Sequence, residues 1–161
     1  MQHQFPRHSE TVLSNWVDYN GHMNVAYYVL IFDHATDVLL DFVGLNEKYR
    51  NITSKSVFVV ESHITYAQEV LEGAKIEIET LVLDIDDKRL HVFMNMRETI
   101  SSVTASTIEI MILHVDLNTR KSTPFPTQIK LELFQLKEKH SSLIQSSQIG
   151  RQVGFKKLTY N

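Results

Sequence analysis

The reading of this chain turns on one stretch: Asp18-Tyr19-Asn20-Gly21-His22-Met23-Asn24, followed without a break by Val25-Ala26-Tyr27-Tyr28-Val29-Leu30-Ile31-Phe32. Polar and turn-forming residues run straight into an apolar segment. From Val25 onward, Val25, Tyr28, Val29, Phe32, Ala35, Leu39 and Phe42 recur at helical spacing, which predicts a helix stopped at Gly44. Its first half is apolar nearly all round, so burial on most sides is expected. Asp33, Asp37 and Asp41 would share one polar stripe. Taken singly, the loop residues have structural explanations: Asn20-Gly21 is a turn and Asn24 a good N-cap. Taken together, they pose a choice between a capping device and a reaction centre.

Working outward, Thr11 to Val17 reads as a short strand before the loop. Four long β-like runs follow the helix: Ser56 to Val70, Ala74 to Ile85, Arg89 to Arg97 and Val103 to Asp116. Glu72-Gly73 and the segment 86–88 mark turns between them. In the third run, Leu90, Val92, Met94 and Met96 fall on one face, opposite His91, Phe93, Asn95 and Arg97. The pattern predicts an antiparallel meander. Pro124-Phe125-Pro126 ends strand pairing, and Ile129, Leu133 and Leu136 place a last helix over Thr127 to His140. The remainder, 141–161, has little period and reads as a loose or weakly docked tail. The whole of 1–161 is expected to form one domain with its core at about 11–136.

One strand, one apolar helix and four long strands make an α+β chain. One helix covers such a sheet only if the sheet curls around it, and that arrangement is the hotdog fold. The curled sheet leaves long edges, so pairing across a two-fold axis into a homodimer or tetramer is expected.

Composition removes several function classes. The chain has 161 residues, enough for one core, and a formal net charge of −3, with no basic field to draw nucleic acid. Its eight histidines lack a spacing such as HExxH, and there is no cysteine. Thiolate catalysis, disulfides and Cys-based zinc sites are excluded, and nothing calls for a metal or cofactor. The polar N-terminus lacks the apolar core of a signal peptide, and no apolar run is long enough to span a membrane. A soluble, cytoplasmic protein is expected.

Asp18, His22 and Asn24 bring a carboxylate, an imidazole and a carboxamide together just before a helix whose leading N–H groups carry partial positive charge. Such N–H groups polarise a carbonyl and hold an oxyanion, while Asp18 activates water or attacks directly. That is chemistry for opening an activated acyl bond without a serine or cysteine nucleophile.

The same residues, with Ala26 and Tyr28, resemble the D-x-N-G-H-x-N-x-x-x-Y signature of hotdog acyl-CoA and acyl-carrier-protein thioesterases, the 4-hydroxybenzoyl-CoA thioesterase-like superfamily. The similarity extends over roughly Thr11 to Leu136. It implies thioester hydrolysis of an acyl-CoA with Asp18 as general base or nucleophile, and roles for His22 and Asn24. Where the broader family often has a second Asp before the motif, this chain has Trp16. The wording of the helix, with Asp33 and Asp37, is similar to a branch associated with carnitine breakdown, the betainyl-CoA thioesterases. For a quaternary ammonium group, Tyr19, Tyr27 and Tyr28, with Trp16 and Phe32, offer an aromatic cage; core packing is the competing explanation. Glu61, with His63 and Tyr66 on the same strand, is a second acid or a binding group for a cationic acyl moiety if it faces the helix start, and a solvent-facing strand residue otherwise. Arg89, with Lys55, Lys88 and Arg97, is a candidate for the CoA phosphates. Two other readings stay open: a hotdog protein that binds an acyl-CoA without turnover, and a hotdog hydratase or dehydratase.

Overall fold

In the computed structural model, residues 6–143 and 146–154 are described. The tail expected at 141–161 therefore lies partly outside the described residues. The first strand, β1, is Arg7–Thr11, upstream of where apolar content suggested it. It is polar and held by backbone pairing with β3 and by polar side-chain contacts, which hides it from a hydrophobicity reading. The segment read as a strand is instead a 3-10 turn, Ser14–Trp16. Its apolar residues explain why: Val12 and Trp16, four apart, are buried, while Leu13 between them is 49% exposed.

The central helix, α1, is Val25–Phe42. The Asn24 side chain caps it by accepting the Ala26 N–H. Gly44, at φ +84°, follows in the left-handed conformation that ends a helix without a Cβ clash. Tyr28, Ile31, Phe32, Ala35, Leu39 and Leu40 are buried, but Val25, Val29 and Leu30 are 56, 49 and 37% exposed. Burial of the first half is thus one-sided, contrary to the expectation from its composition, because a single sheet covers a single face. A short helix not foreseen in the sequence, α2 (Glu47–Thr53), is capped by Asn46, whose side chain accepts the Tyr49 N–H.

The strands β2 (Lys55–Tyr66), β3 (Lys75–Ile85), β4 (Arg89–Glu98) and β5 (Thr104–Asp116) match the four long runs closely; β6 (Lys121–Ser122) is a two-residue addition. The sheet is antiparallel in the order β1-β3-β4-β5-β2, with β6 on β5. Only β3, β4 and β5 form a meander. β2 joins β5 instead of β3, so the connection 67–74 crosses three strand spacings, about 14 Å, well within the reach of that many residues. β1 and the twelve-residue β2 are the two edges.

Leu90, Val92, Met94 and Met96 of β4 and Ile108, Ile110 and Ile112 of β5 form the inner face, in one core cluster with α1. The helix α3 (Thr127–His140), at the bounds the sequence predicts, adds Ile129, Leu133 and Leu136 to that cluster. Sheet curled over central helix is the hotdog architecture. A bulge at Val60 shifts the register of β2 on β5: Val59 stands opposite Ile112, but Glu61 opposite Met111. Alternation therefore changes phase within β2. After the bulge Ser62, Ile64 and Tyr66 face inward, and Glu61 and His63 face outward.

Candidate active site

The loop before α1 is closed by its own backbone. Val17 and Met23 form an isolated antiparallel bridge. Asp18 N–H donates to the His22 carbonyl at 3.2 Å and Gly21 N–H to the Asp18 carbonyl at 3.0 Å. Gly21, at φ +83°, supplies the left-handed residue that this reversal needs. Met23 is fully buried, and its N–H donates to the Val70 carbonyl at 2.8 Å. Asn24 N–H reaches back to the Trp16 carbonyl at 2.9 Å. The loop is thereby fixed to the 3-10 turn on one side and to the β2–β3 connection on the other.

Both oxygens of the Asp18 carboxylate are engaged. Oδ1 accepts the Asn20 N–H at 2.8 Å, and Oδ2 accepts the Asn24 amide at 3.0 Å. The same Asn24 side chain accepts the Ala26 N–H with its oxygen, at 3.0 Å. One carboxamide therefore ties the acid to the positive end of α1. The Asn20 hydrogen bond, aided by the Asn24 amide and the nearby His22 and opposed by partial burial, holds the Asp18 carboxyl below the ordinary aspartate range. The group is ionised at neutral pH and weakly basic.

His22 sits beside a cavity of about 220 Å³ that also touches Tyr28, Tyr66, Gln68 and Glu69. Its Nδ1 lies 3.2 Å from the Met23 carbonyl and, as donor to it, leaves the Nε2 lone pair free for other partners. Tyr28 is 3% exposed, meets Tyr66 edge-on at 5.2 Å, and its hydroxyl donates to the Gln68 carbonyl at 3.4 Å. Burial, with the Tyr66 ring and the Glu69 carboxylate adding to it against a backbone hydrogen bond, pushes the Tyr28 hydroxyl up, so it remains protonated.

The other residues singled out in the sequence are dispersed. Tyr27 stacks on Trp16 at 5.5 Å and 18°, a pair beside the loop and not part of the same cavity wall as Tyr28. Tyr19 is 96% exposed at the loop tip. Glu61 faces away from α1, into an outer-face cavity with His63, His91, Glu109 and Arg151. There the Gly150 N–H of the C-terminal segment donates to Glu109 at 2.7 Å. Arg89 sits in the β3–β4 hairpin, held by Asp86 through Nε at 2.7 Å and Nη2 at 2.6 Å. That is the opposite end of β3 from the Asp18 loop, roughly 30 Å along the strand. Glu69 was not foreseen. It lies past the end of β2, where no periodicity points a side chain, and hydrogen bonds from Met23 to Val70 and from Tyr28 to Gln68 bring its segment to the site.

The sequence model of the thioesterase-like superfamily matches residues 12–133. Among curated relatives, a betainyl-CoA thioesterase of Pseudomonas aeruginosa is 38% identical over 143 residues, covering 89% of this chain and 90% of that one. An L-carnitine dehydrogenase/betainyl-CoA thioesterase of Agrobacterium fabrum is also 38% identical, over 80% of this chain but 26% of its own length. Among solved structures, a Staphylococcus aureus protein in complex with CoA superimposes with a TM-score of 0.90 at 28% identity, over 97% of this chain and 98% of that one. A 1,4-dihydroxy-2-naphthoyl-CoA thioesterase from Synechocystis, at 14% identity and TM-score 0.73 over 82% of this chain and 96% of that one, shares the fold.

Proposed function

Because this chain belongs to the thioesterase-like superfamily and is an acyl-CoA thioesterase, we propose that Asp18 is its catalytic carboxylate and betainyl-CoA its substrate. The observation that carries the first part is the Asp18–Asn24–Ala26 relay: an ionised acid, hydrogen-bonded on both oxygens, joined by one side chain to the helix start. Leading N–H groups of α1 polarise the thioester carbonyl and take up the charge that develops on its oxygen. Asp18 either takes a proton from the water that attacks, or attacks itself and leaves an anhydride that a water molecule then opens to free the acid. The carbonyl–sulfur bond breaks, CoA leaves as the thiolate, and His22 guides the proton that restores the thiol.

Support for a cationic acyl group comes from the P. aeruginosa relative and from the cavity beside His22, where Tyr28, Tyr66 and the Glu69 carboxylate suit a quaternary ammonium. The test measures thiol release from betainyl-CoA and from its neutral isostere 3,3-dimethylbutanoyl-CoA. The parent is expected to favour the cation by about tenfold or more in kcat/KM; equal rates remove the substrate assignment. Asp18→Asn is expected to lower turnover by about 10²–10⁴-fold. An Asp18→Asn protein as fast as the parent removes the catalytic assignment.

A further inference from the structure

β1 places two ionisable side chains where the sheet should be apolar. His8 pairs with Ile78 and Glu10 with Ile76, both core residues, so the two point inward from the sheet edge toward α1. His34 of α1 closes on them. His8 Nε2 lies 2.5 Å and His34 Nδ1 2.6 Å from the same oxygen, Glu10 Oε1. The two imidazoles stand edge-on with centroids 6.0 Å apart. One ligand atom from each residue lies within 4.8 Å of the other two, and all three residues are part-buried. As hydrogen-bond donors, the two imidazoles share one carboxylate oxygen. A divalent ion would use the same three groups, taking two nitrogen lone pairs and the carboxylate.

We propose that His8, Glu10 and His34 bind a divalent transition-metal ion of the zinc class, clipping the edge strand β1 to α1. Two imidazoles and a carboxylate are a recurrent donor set for such ions, with Zn–N near 2.0–2.1 Å and Zn–O near 2.0–2.2 Å. The three ligands come from two elements far apart in sequence, so the ion would act as a cross-link. Asn24 and His34 are ten residues apart on α1, about 15 Å along its axis. The site is thus separate from the Asp18 centre and does not depend on the thioesterase reading.

The test strips the purified full chain with a chelator and titrates it with Zn²⁺ calorimetrically at pH 7.5, and with Co²⁺ by visible absorption. Expected are one ion per chain, a micromolar Kd, and a Co²⁺ spectrum more intense than that of the aquo ion. A hundredfold excess of Zn²⁺ over Kd should raise Tm by about 5 °C or more. Glu10→Gln and His34→Gln should each weaken binding at least tenfold, with circular dichroism reporting that they fold. His91→Gln, which alters the outer-face histidine, should leave binding unchanged. Parent affinity weaker than about 1 mM overturns the proposal and leaves the cluster as inward-pointing polar groups that blunt a sheet edge. Tight binding that is the same in Glu10→Gln and His34→Gln overturns it equally.

Discussion

The Asn24 carboxamide directs its oxygen to the Ala26 N–H and its NH₂ to Asp18, and two substitutions separate these roles. Asn24→Ala removes both. It should cost about 1 kcal/mol of stability, the usual worth of an N-cap, and lower thioesterase turnover as well. Asn24→Asp keeps an acceptor for the cap but sets a second carboxylate against the first. Stability should stay within about 0.5 kcal/mol of the parent, while turnover falls and the Asp18 carboxyl rises toward its ordinary range. Urea unfolding and thiol release, read side by side, check both; a parallel loss of stability and activity in Asn24→Asp would contradict the division. Asp18, His22 and Asn24 were legible as a group because turn chemistry and helix onset fix their spacing within one loop. Glu69 was not, because its approach depends on a hydrogen bond between segments nearly fifty residues apart.

Element by element, long alternating runs were legible and short or polar ones were not. β3, β4, β5 and α3 appear close to where periodicity put them, whereas β1 and α2 carry too few apolar residues to announce themselves. His114 shows how an element's interior can be held by polar chemistry that no period reveals. It is fully buried on β5, stacks on Phe125 at 4.9 Å, and bridges the Tyr49 hydroxyl of α2 at 2.9 Å and the Thr123 carbonyl at 2.9 Å. With Nδ1 donating to the carbonyl, Nε2 accepts from Tyr49, which requires the neutral ring. Burial, with Lys55 nearby and against the Thr123 hydrogen bond, lowers its pKa from the usual histidine value. The unfolded chain therefore binds more protons in the window below about pH 6.5. Stability contributed by His114 is present above that pH and is lost as pH falls through the window. Chemical denaturation at pH 7.5, 6.5 and 5.5 should show the decline, and His114→Gln should flatten it. An unchanged slope in His114→Gln would assign the decline to other groups.

At the scale of the whole molecule, curvature of the sheet follows from counting elements, but the reach of the covering does not. One sheet around one helix leaves Val25, Val29 and Leu30 of α1 exposed, and Phe58, Val59 and Val60 of the β2 edge exposed as well. We propose that two chains pair along β2 about a two-fold axis, which would satisfy the open edge and cover its apolar residues. Light scattering after size exclusion should give at least twice the 18.7 kDa chain mass. Val29→Lys with Val59→Lys, at positions the single chain already exposes, should shift it to the monomer. A parent that elutes and scatters as a monomer sinks the idea. No described helix is long and apolar enough to cross a membrane.

The bulge at Val60 gives β2 a parity. Seen from α1, the strand shows odd-numbered residues up to Val59 and even-numbered ones from Ser62 onward. Removing Val60 itself would restore plain alternation and leave every later side chain on its present face, whereas losing one residue beyond it, such as Ser62, would turn the following ones over and put Thr65 in place of Tyr66 beside Tyr28. A single-residue deletion should therefore be tolerated at the bulge and not beyond it, and the aromatic wall of the cavity is set as much by the count of residues between Val60 and Tyr66 as by which residues they are.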